Sequence, residues 1–503
     1  MMGENGVPSH TLSSDAPLQL GDGIAPWKPI LRNAFWLFSG NITAQGLAAV
    51  MGLLLARGIG PQGYGLYATA FALAAAFTHA ALMGLDSVVP RYVARRPESA
   101  GSVLLGALCP ALLWLPILML LIGGLAVALG YPREILLLVF PAALTTGVRG
   151  LLNLFRSVMR GLERMDLDAA FQTAESGVTL LGVMLILSIA PSALNATLTI
   201  LLTEGLALLF AGLWTWRMVS RVAAGHPKML TRPPTDLAKE MLLAAVPLGL
   251  TFTLIGLSLR LDTLVLSLFR PIPEVGFYSA AFVLVMISRS VALMSAAFLP
   301  RLSALAGQDD LTFARLRDGG LYGMLIIGTG IGVTMAVLAP FIIGTLYGAP
   351  FLTAVPALRV LGIASIALFV NTYCWQVLIA QDRQGTIARM AILSLLLSLP
   401  LALLLIPRWG AVGAALVTLA REVMQCLPLT RAILRPPRSL PRRAFLSPIP
   451  AAAAMAFVLC PVRAETGPVV LPYLLLSSVA YLGVLLLGDG GLRNGLRGWV
   501  ALR

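Results

Sequence analysis

The chain has 503 residues, of which 58% are hydrophobic and only 12% are charged, and it carries a net charge of +14. This charged fraction is about half of the ~25% that soluble domains carry, so a water-soluble fold is excluded. The composition predicts an all-α polytopic membrane protein of about 14 transmembrane helices. The excess of arginine then reflects membrane topology, and we expect no nucleic acid partner.

The N-terminal part of the sequence predicts a tail followed by one lobe of helices. Residues 1–32 are rich in glycine, serine and proline and lack the apolar core of a cleavable signal peptide. We therefore expect a disordered cytoplasmic tail. Six apolar runs then predict an N-lobe of helices 1–6 over residues 33–216. These runs are 34–56, 64–85, 103–129, 135–155, 171–190 and 194–216.

The C-terminal part of the sequence predicts a second lobe and two additional helices. A basic, proline-containing stretch at 217–239 is expected to be a cytoplasmic linker. Residues 240–430 predict a C-lobe of helices 7–12, with apolar runs at 241–269, 277–299, 321–343, 352–380, 387–406 and 411–430. A second basic cytoplasmic linker is expected at 431–444. Residues 445–503 are expected to hold helices 13 and 14, at 445–460 and 469–487, and a C-terminal tail.

The distribution of basic residues predicts the orientation of these spans. When the spans cross a membrane alternately from a cytoplasmic N terminus, most of the 36 lysines and arginines fall in cytoplasmic loops and tails. This bias obeys the positive-inside rule. We therefore expect a multi-pass membrane protein with both termini in the cytoplasm and with basic clusters that contact anionic membrane lipids.

Short motifs recur in the two sets of six spans. The matches are Gly65-Leu66-Tyr67 with Gly276-Phe277-Tyr278, Pro90-Arg91 with Pro300-Arg301, and Glu204 with Glu422. Because each half has an even number of spans, the halves have the same orientation and form a parallel repeat. The sequence thus predicts two parallel six-helix lobes around a central cavity, plus two C-terminal helices.

Charged side chains inside the predicted spans are the main functional signal, because each costs at least about 2.5–3.5 kcal/mol unless it has a partner or a wet cavity. We expect five arginines to form a cationic cavity that binds an anionic substrate such as a diphosphate. They are Arg149, Arg260, Arg289, Arg359 and Arg421. Asn41 and Gln45 are the polar candidates to line the same cavity, and Glu204, Asp262 and Glu422 are candidates for ion coupling.

A structural alternative stays open for each of these residues. Arginine–carboxylate pairs also hold helices together, so Glu204 or Glu422 could satisfy Arg421 or Arg289 across a helix contact. Arg260 and Asp262 cannot pair with each other, because two residues correspond to about 200° around a helix. Five core arginines against three core acids leave a positive surplus, which favours the cationic cavity.

Several functions are excluded or disfavoured. The sequence contains no Gly-Lys dipeptide, so a P-loop nucleotide site is impossible. Three scattered histidines cannot form a histidine-rich metal site, and we expect neither a metal nor a cofactor. The short external loops disfavour a membrane-embedded polymerase or glycosyltransferase, so we expect a protein that is not an enzyme.

The first half carries a recognisable signature. It consists of the segment Leu53-Leu54-Leu55-Ala56-Arg57-Gly58-Ile59-Gly60-Pro61-Gln62-Gly63-Tyr64-Gly65-Leu66-Tyr67, followed by Met83-Gly84-Leu85-Asp86 and Pro90-Arg91. This signature resembles that of bacterial oligosaccharide-lipid flippases. These are the Wzx-type, polysaccharide-transport branch of the multidrug and oligosaccharidyl-lipid exporter superfamily. The second half adds Arg260-Leu261-Asp262-Thr263-Leu264-Val265-Leu266, Val275-Gly276-Phe277-Tyr278-Ser279-Ala280-Ala281 and Leu346-Tyr347-Gly348 in the family's order.

The resemblance implies a function as well as a fold. It implies alternating access of a central cavity and translocation of a polyprenyl-diphosphate-linked oligosaccharide, such as an O-antigen, capsule or exopolysaccharide repeat unit, from the cytoplasmic to the outer leaflet of the bacterial plasma (inner) membrane. Polysaccharide polymerase or assembly proteins are implied partners. A cation-coupled drug or small-molecule antiporter of the same superfamily, or a flippase for the peptidoglycan-precursor lipid, are the alternatives.

Overall fold

The computed structural model describes residues 27–222, 235–306, 310–434, 447–462 and 470–488. Within these ranges all regular structure is helical, which confirms an all-α polytopic membrane protein. The apolar composition explains this result, because a backbone in hydrocarbon must satisfy its hydrogen bonds within its own helix.

The helices follow the predicted runs closely. The first half contains α1 (Trp27–Ala76), α2 (Leu85–Arg95), α3 (Ala100–Ala128), α4 (Arg133–Gly161), α5 (Met165–Ile189) and α6 (Ala193–Val222). The second half contains α7 (Thr235–Phe269), α8 (Ile272–Ala292), α9 (Leu299–Leu305), α10 (Asp310–Val337), α11 (Ala339–Leu346), α12 (Val355–Ala380) and α13 (Gln384–Ile433). The last described helices are α14 (Pro448–Leu459) and α15 (Val470–Gly488).

Two bent helices account for the number of membrane crossings. Ten described helical segments are long and apolar enough to cross a membrane. Two of these, α1 and α13, have 50 residues each, which is about 75 Å of straight helix against about 30 Å of hydrocarbon. Each bends at a glycine of positive φ, Gly60 (68°) or Gly410 (53°), and so provides two crossings. With the shorter apolar helices α14 and α15, the described helices account for all fourteen predicted apolar segments.

The boundaries differ from the predicted segments in a few places. Helix α1 begins at Trp27, inside the segment expected to be a tail. Pro29 is compatible with this start, since proline is tolerated in the first turn of a helix. Helix α6 continues into the first predicted linker, and α13 continues into the second. The remaining predicted tail at 1–26, the linker residues 223–234 and 435–446, and residues 463–469 and 489–503 lie outside the described residues.

Small and hydroxylated residues mediate helix packing in the first half. Helix α4 packs against α1, α3 and α6, and α5 packs against α1 and α6. Gly40 of α1 lies directly against Ala169 of α5. The hydroxyls of Thr179 and Thr203 join α5 to α6 by a hydrogen bond of 3.0 Å. Close backbone contact and interhelical hydrogen bonds of this kind stabilise helix pairs in a membrane, where hydrophobic burial does not.

Helix α12 lies at the centre of the second half and packs against α8, α10 and α13. Phe369 and Tyr373 are fully buried there. The Tyr373 hydroxyl donates a hydrogen bond of 3.2 Å to the carbonyl of Leu316 in α10. Helices α14 and α15 pack on each other and on α10, where the Tyr481 hydroxyl donates to the carbonyl of Ile326 at 2.8 Å.

Glycines at both ends of the second arm of α1 bring the two halves together. Near the bend, Gly65 lies against Ile272 at the start of α8, and Gly276 lies against the carbonyl of Pro61. Beyond the opposite end of this arm, Gly84 lies against Gly249 of α7. The recurring Gly-X-Tyr motifs therefore mark a backbone contact between the halves, where any Cβ would overlap a backbone atom.

Replacing Gly276 by alanine is expected to separate the two halves at the α1 bend, because the new Cβ would overlap the Pro61 carbonyl. The distance between spin labels on the exposed positions Gln62 and Thr353 should increase by a few ångströms, as measured by pulsed electron resonance. Gly123→Ala is the matched control, since a Cβ at Gly123 meets open space. An unchanged distance in Gly276→Ala would contradict a tight contact at this point.

Candidate functional site

Asp262 of α7 lies in a buried, hydrogen-bonded cluster. Its Oδ2 accepts hydrogen bonds from Arg421 at 2.9 Å, from Thr418 at 2.6 Å and from the Tyr278 hydroxyl at 3.3 Å. Arg421 also donates to the carbonyl of Ser258 at 2.9 Å. The exposed fractions of the Arg421 and Asp262 side chains are 2% and 1%. The pair therefore joins α7 to α13, and its guanidinium is not accessible to a substrate.

A small cavity of about 40 Å³ lies beside this cluster, between α7, α8, α12 and α13. On its wall, the Asn371 amide donates to Glu422 Oε2 at 2.9 Å and to the Glu422 backbone carbonyl at 2.8 Å. Arg289 of α8 lines the same cavity and interacts electrostatically with Glu422. Two of the predicted arginines, Arg289 and Arg421, thus lie inside the second half together with two of the predicted acids.

Arg149 of α4 and Glu204 of α6 form an ion pair inside the first half. The Glu204 side chain is 2% exposed, whereas that of Arg149 is 46% exposed. Only part of the Arg149 guanidinium is occupied by this contact, so its other N–H groups can reach a ligand. Arg149 therefore connects α4 to α6 and still presents donors to the space between the halves.

Arg260 of α7 faces the other half of the molecule. It lies within electrostatic reach of Tyr64 and Tyr67 of α1 and of Arg149 of α4. Asp262 points instead toward α13, as the helical spacing of the two residues predicts. In the described part of the chain no carboxylate forms an ion pair with Arg260. Arg260 and Arg149 are thus two cations, one from each half, that lie within electrostatic reach of each other.

The remaining predicted residues divide between the lobe contact and the periphery. Gln45 of α1 accepts a hydrogen bond from Ser290 of α8, so it lies between the halves. Asn41 accepts one from Gln172 of α5 at 3.4 Å and lies inside the first half. Arg359 is exposed on α12 and joins neither the interlobe cations nor the cavity beside Glu422.

Sequence reasoning missed charged residues near the ends of predicted spans. Arg156 of α4 is buried and donates to Asp168 of α5 at 2.6 Å, and Arg160 approaches the same carboxylate at 3.5 Å. Glu175 of α5 interacts electrostatically with Arg149 and Glu204. Because α5 begins at Met165, six residues before the predicted run at 171–190, Glu175 lies well inside the helix.

The observed charge balance corrects the sequence argument for a positive surplus. Arg359 lies apart, and Glu175 adds a fourth acid. Among the described residues, the interlobe space, the neighbouring cavity and the buried cluster beside it therefore hold four arginines and four carboxylates. These are Arg149, Arg260, Arg289 and Arg421, with Glu175, Glu204, Asp262 and Glu422. The cationic character of the interlobe space depends on the position of Arg260, and not on an overall excess of arginine.

Known structures share this fold. The chain resembles the lipid II flippase MurJ in an inward closed conformation, with a TM-score of 0.73 and 17% identity. The match covers 92% of this chain and 99% of the MurJ chain. It resembles an inward-facing multidrug resistance MATE family transporter of the MOP superfamily over 81% of this chain and 96% of that one, with a TM-score of 0.59 and 16% identity. A MOP superfamily transporter from Pyrococcus furiosus matches 81% of this chain and 95% of its own, with a TM-score of 0.55 and 15% identity.

Sequence comparison identifies the family. No curated protein sequence matches the chain significantly. The family model described as "Polysaccharide biosynthesis protein" matches residues 30–306, which is more than half of the chain and includes the whole first half and α7 and α8. The chain therefore belongs to the polysaccharide biosynthesis protein family, a flippase family of the MOP superfamily.

Proposed function

We propose that this protein translocates a polyprenyl-diphosphate-linked oligosaccharide from the cytoplasmic to the outer leaflet of the bacterial plasma membrane by alternating access. The observation that carries the proposal is Arg260, a cation between the halves with no carboxylate partner in the described chain, opposite the half-exposed Arg149. An unpaired guanidinium in a membrane protein is costly and is retained where it binds an anion. A diphosphate offers several oxygens in the geometry that guanidinium groups bind best.

The physics of the substrate fits this site. A diphosphate-sugar headgroup cannot cross hydrocarbon unaided, whereas its prenyl chain can stay in lipid while the headgroup passes between the halves. Outward movement of negative charge is favoured by an inside-negative potential, by about 2.3 kcal/mol per charge per 100 mV. The substrate in this proposal is a repeat unit of O-antigen, capsule or exopolysaccharide, consistent with the polysaccharide biosynthesis family.

The three acids considered for ion coupling have structural partners in this arrangement. Asp262 is bound by Arg421, Glu204 by Arg149, and Glu422 by Asn371. We infer that these contacts hold helices together, which leaves ion coupling to other groups. The same contacts leave none of these three carboxylates free to bind an organic cation, as the drug antiporter alternative would require of them.

The proposed orientation places both termini in the cytoplasm. It also places the exposed arginines at the end of α2, Arg91, Arg95 and Arg96, at the cytoplasmic surface. Basic side chains near this surface are attracted to anionic lipid headgroups by about 1 kcal/mol each. Polysaccharide polymerase or assembly proteins, which use the translocated unit, are the partners that the proposal requires.

Deletion of the gene tests the proposal and identifies the substrate. We expect a polyprenyl-diphosphate oligosaccharide to accumulate on the cytoplasmic leaflet while the corresponding surface glycan disappears, as measured by lipid extraction and mass spectrometry. Accumulation of the peptidoglycan-precursor lipid would favour that flippase alternative. Normal levels of every lipid-linked sugar, with intact surface glycan and altered resistance to toxic cations, would favour the antiporter and contradict the proposal.

A further inference from the structure

Glu175 lies about halfway along α5, between two contrasting environments. On one side is an open groove between α5 and α6, whose walls are almost entirely apolar. Phe171, Phe210 and Trp214 contribute aromatic rings to this groove. On the other side is the Arg149–Glu204 ion pair, with which Glu175 interacts electrostatically. The carboxyl group of Glu175 therefore lies at the boundary between the membrane-facing groove and the interlobe cations.

The charged groups that face Glu175 come from three helices. Helix α4 contributes Arg149 and Arg156, α6 contributes Glu204, and α5 itself contributes Asp168. Both arginines already have carboxylate partners, since Arg149 binds Glu204 and Arg156 binds Asp168. From α1, the neighbouring polar group is the neutral amide of Asn41, which binds Gln172 one turn before Glu175.

Glu175 is therefore the acid without a cation of its own in this group. Its carboxylate forms neither an ion pair nor a hydrogen bond with any of the described residues. An ionised carboxylate beside an apolar groove, with two other carboxylates nearby, is costly, and such a group becomes neutral by binding a proton. Glu204 cannot take this role equally well, because Arg149 already compensates its charge.

We propose that Glu175 is a proton-binding site whose occupancy sets the charge of the interlobe anion site. With Glu175 protonated, Arg149 and Arg260 face the space between the halves with Glu204 as the only ionised acid beside them. Loss of the proton adds a second carboxylate next to Arg149 and weakens its attraction for an anion. By reciprocity, a bound anion raises the affinity of Glu175 for its proton. This coupling rests on the proposed anion-binding function, whereas the proton site does not.

Infrared spectroscopy tests the proton site without any ligand. The purified wild-type protein at neutral pH should show the carbonyl stretching band of a protonated carboxyl group, and Glu175→Gln should lose that band. Glu134→Gln, at the exposed start of α4, is the control and should retain it. Identical carboxyl bands in the wild type and Glu175→Gln would overturn the proposal.

Binding of geranylgeranyl diphosphate, a polyprenyl diphosphate with a short chain, tests the coupling. Between mildly acidic and mildly alkaline pH, the wild-type affinity should fall by about tenfold more than that of Glu175→Gln, the effect of one charge near Arg149. The probe's own titration is the same for both proteins and cancels in this comparison. Equal pH dependence would overturn the coupling. A wild type that has the carboxyl band but does not bind the probe would contradict the proposed anion site and leave the proton site standing.

Discussion

Replacing Arg260 by alanine is expected to lower export of the surface glycan by roughly a hundredfold, the effect of losing one charge-assisted contact to the substrate. Arg260 has no carboxylate partner in the described chain, so its removal leaves no unpaired acid behind. The protein should therefore still fold and reach the membrane. The measurement is glycan export and accumulation of lipid-linked units in the deletion strain that expresses the variant, normalised to its amount in the membrane.

Two further variants make the Arg260 experiment specific. Arg260→Lys should keep part of the activity, because lysine retains the charge but loses the planar fork that binds two phosphate oxygens. Arg359→Ala is the matched control, since Arg359 is exposed on α12, away from the interlobe space. Full export by Arg260→Ala, or an equal loss in Arg359→Ala, would remove Arg260 from the proposed mechanism.

The architecture was largely predictable from the sequence because a bilayer imposes it. Apolar runs of sufficient length have one stable outcome in hydrocarbon, so the helices and the number of crossings followed from them. The merging of two predicted spans into one bent helix was not predictable. A tight turn between spans and a bend at Gly60 or Gly410 differ by the conformation of a few residues, which the pattern does not determine.

The site was predictable only in part, because the sequence locates charged residues inside the spans but does not show which of them pair with each other. A charge inside an apolar run marks an intramembrane position, and this rule found Arg149, Arg260 and Arg421. The partner of each charge depends on tertiary packing, since Arg421 and Asp262 are separated by 159 residues along the chain. Glu175 was missed because it lies near the start of an apolar run, although its helix begins earlier. Hydropathy locates the apolar part of a helix, not the residue at which the helix begins.

Replacing Asp262 by alanine is expected to destabilise the protein by about 3–5 kcal/mol, because it leaves the buried Arg421 with only the more distant carboxylate of Glu422, at 4.0 Å, as a counter-charge. Exposure of Cys374, which is buried in α12, reports unfolding in detergent through reaction with a thiol dye, once the other cysteines are replaced. The double variant Asp262→Leu with Arg421→Met should recover most of the lost stability, since an apolar pair of similar size avoids the cost of burying two charges. Equal instability of the single and double variants would contradict this account of the pair.

The double variant also decides between two roles for Asp262. If the pair only joins α7 to α13, a stable double variant should export glycan at close to the wild-type rate, because neither side chain reaches the interlobe space. If Asp262 couples an ion, the same stable protein should fail to export. The Arg421 guanidinium, at 2.9 Å from Oδ2, already supplies the positive charge that a coupling ion would bring to this site. Near-normal export is therefore the expected result, and loss of export in a stable double variant would return Asp262 to the coupling mechanism.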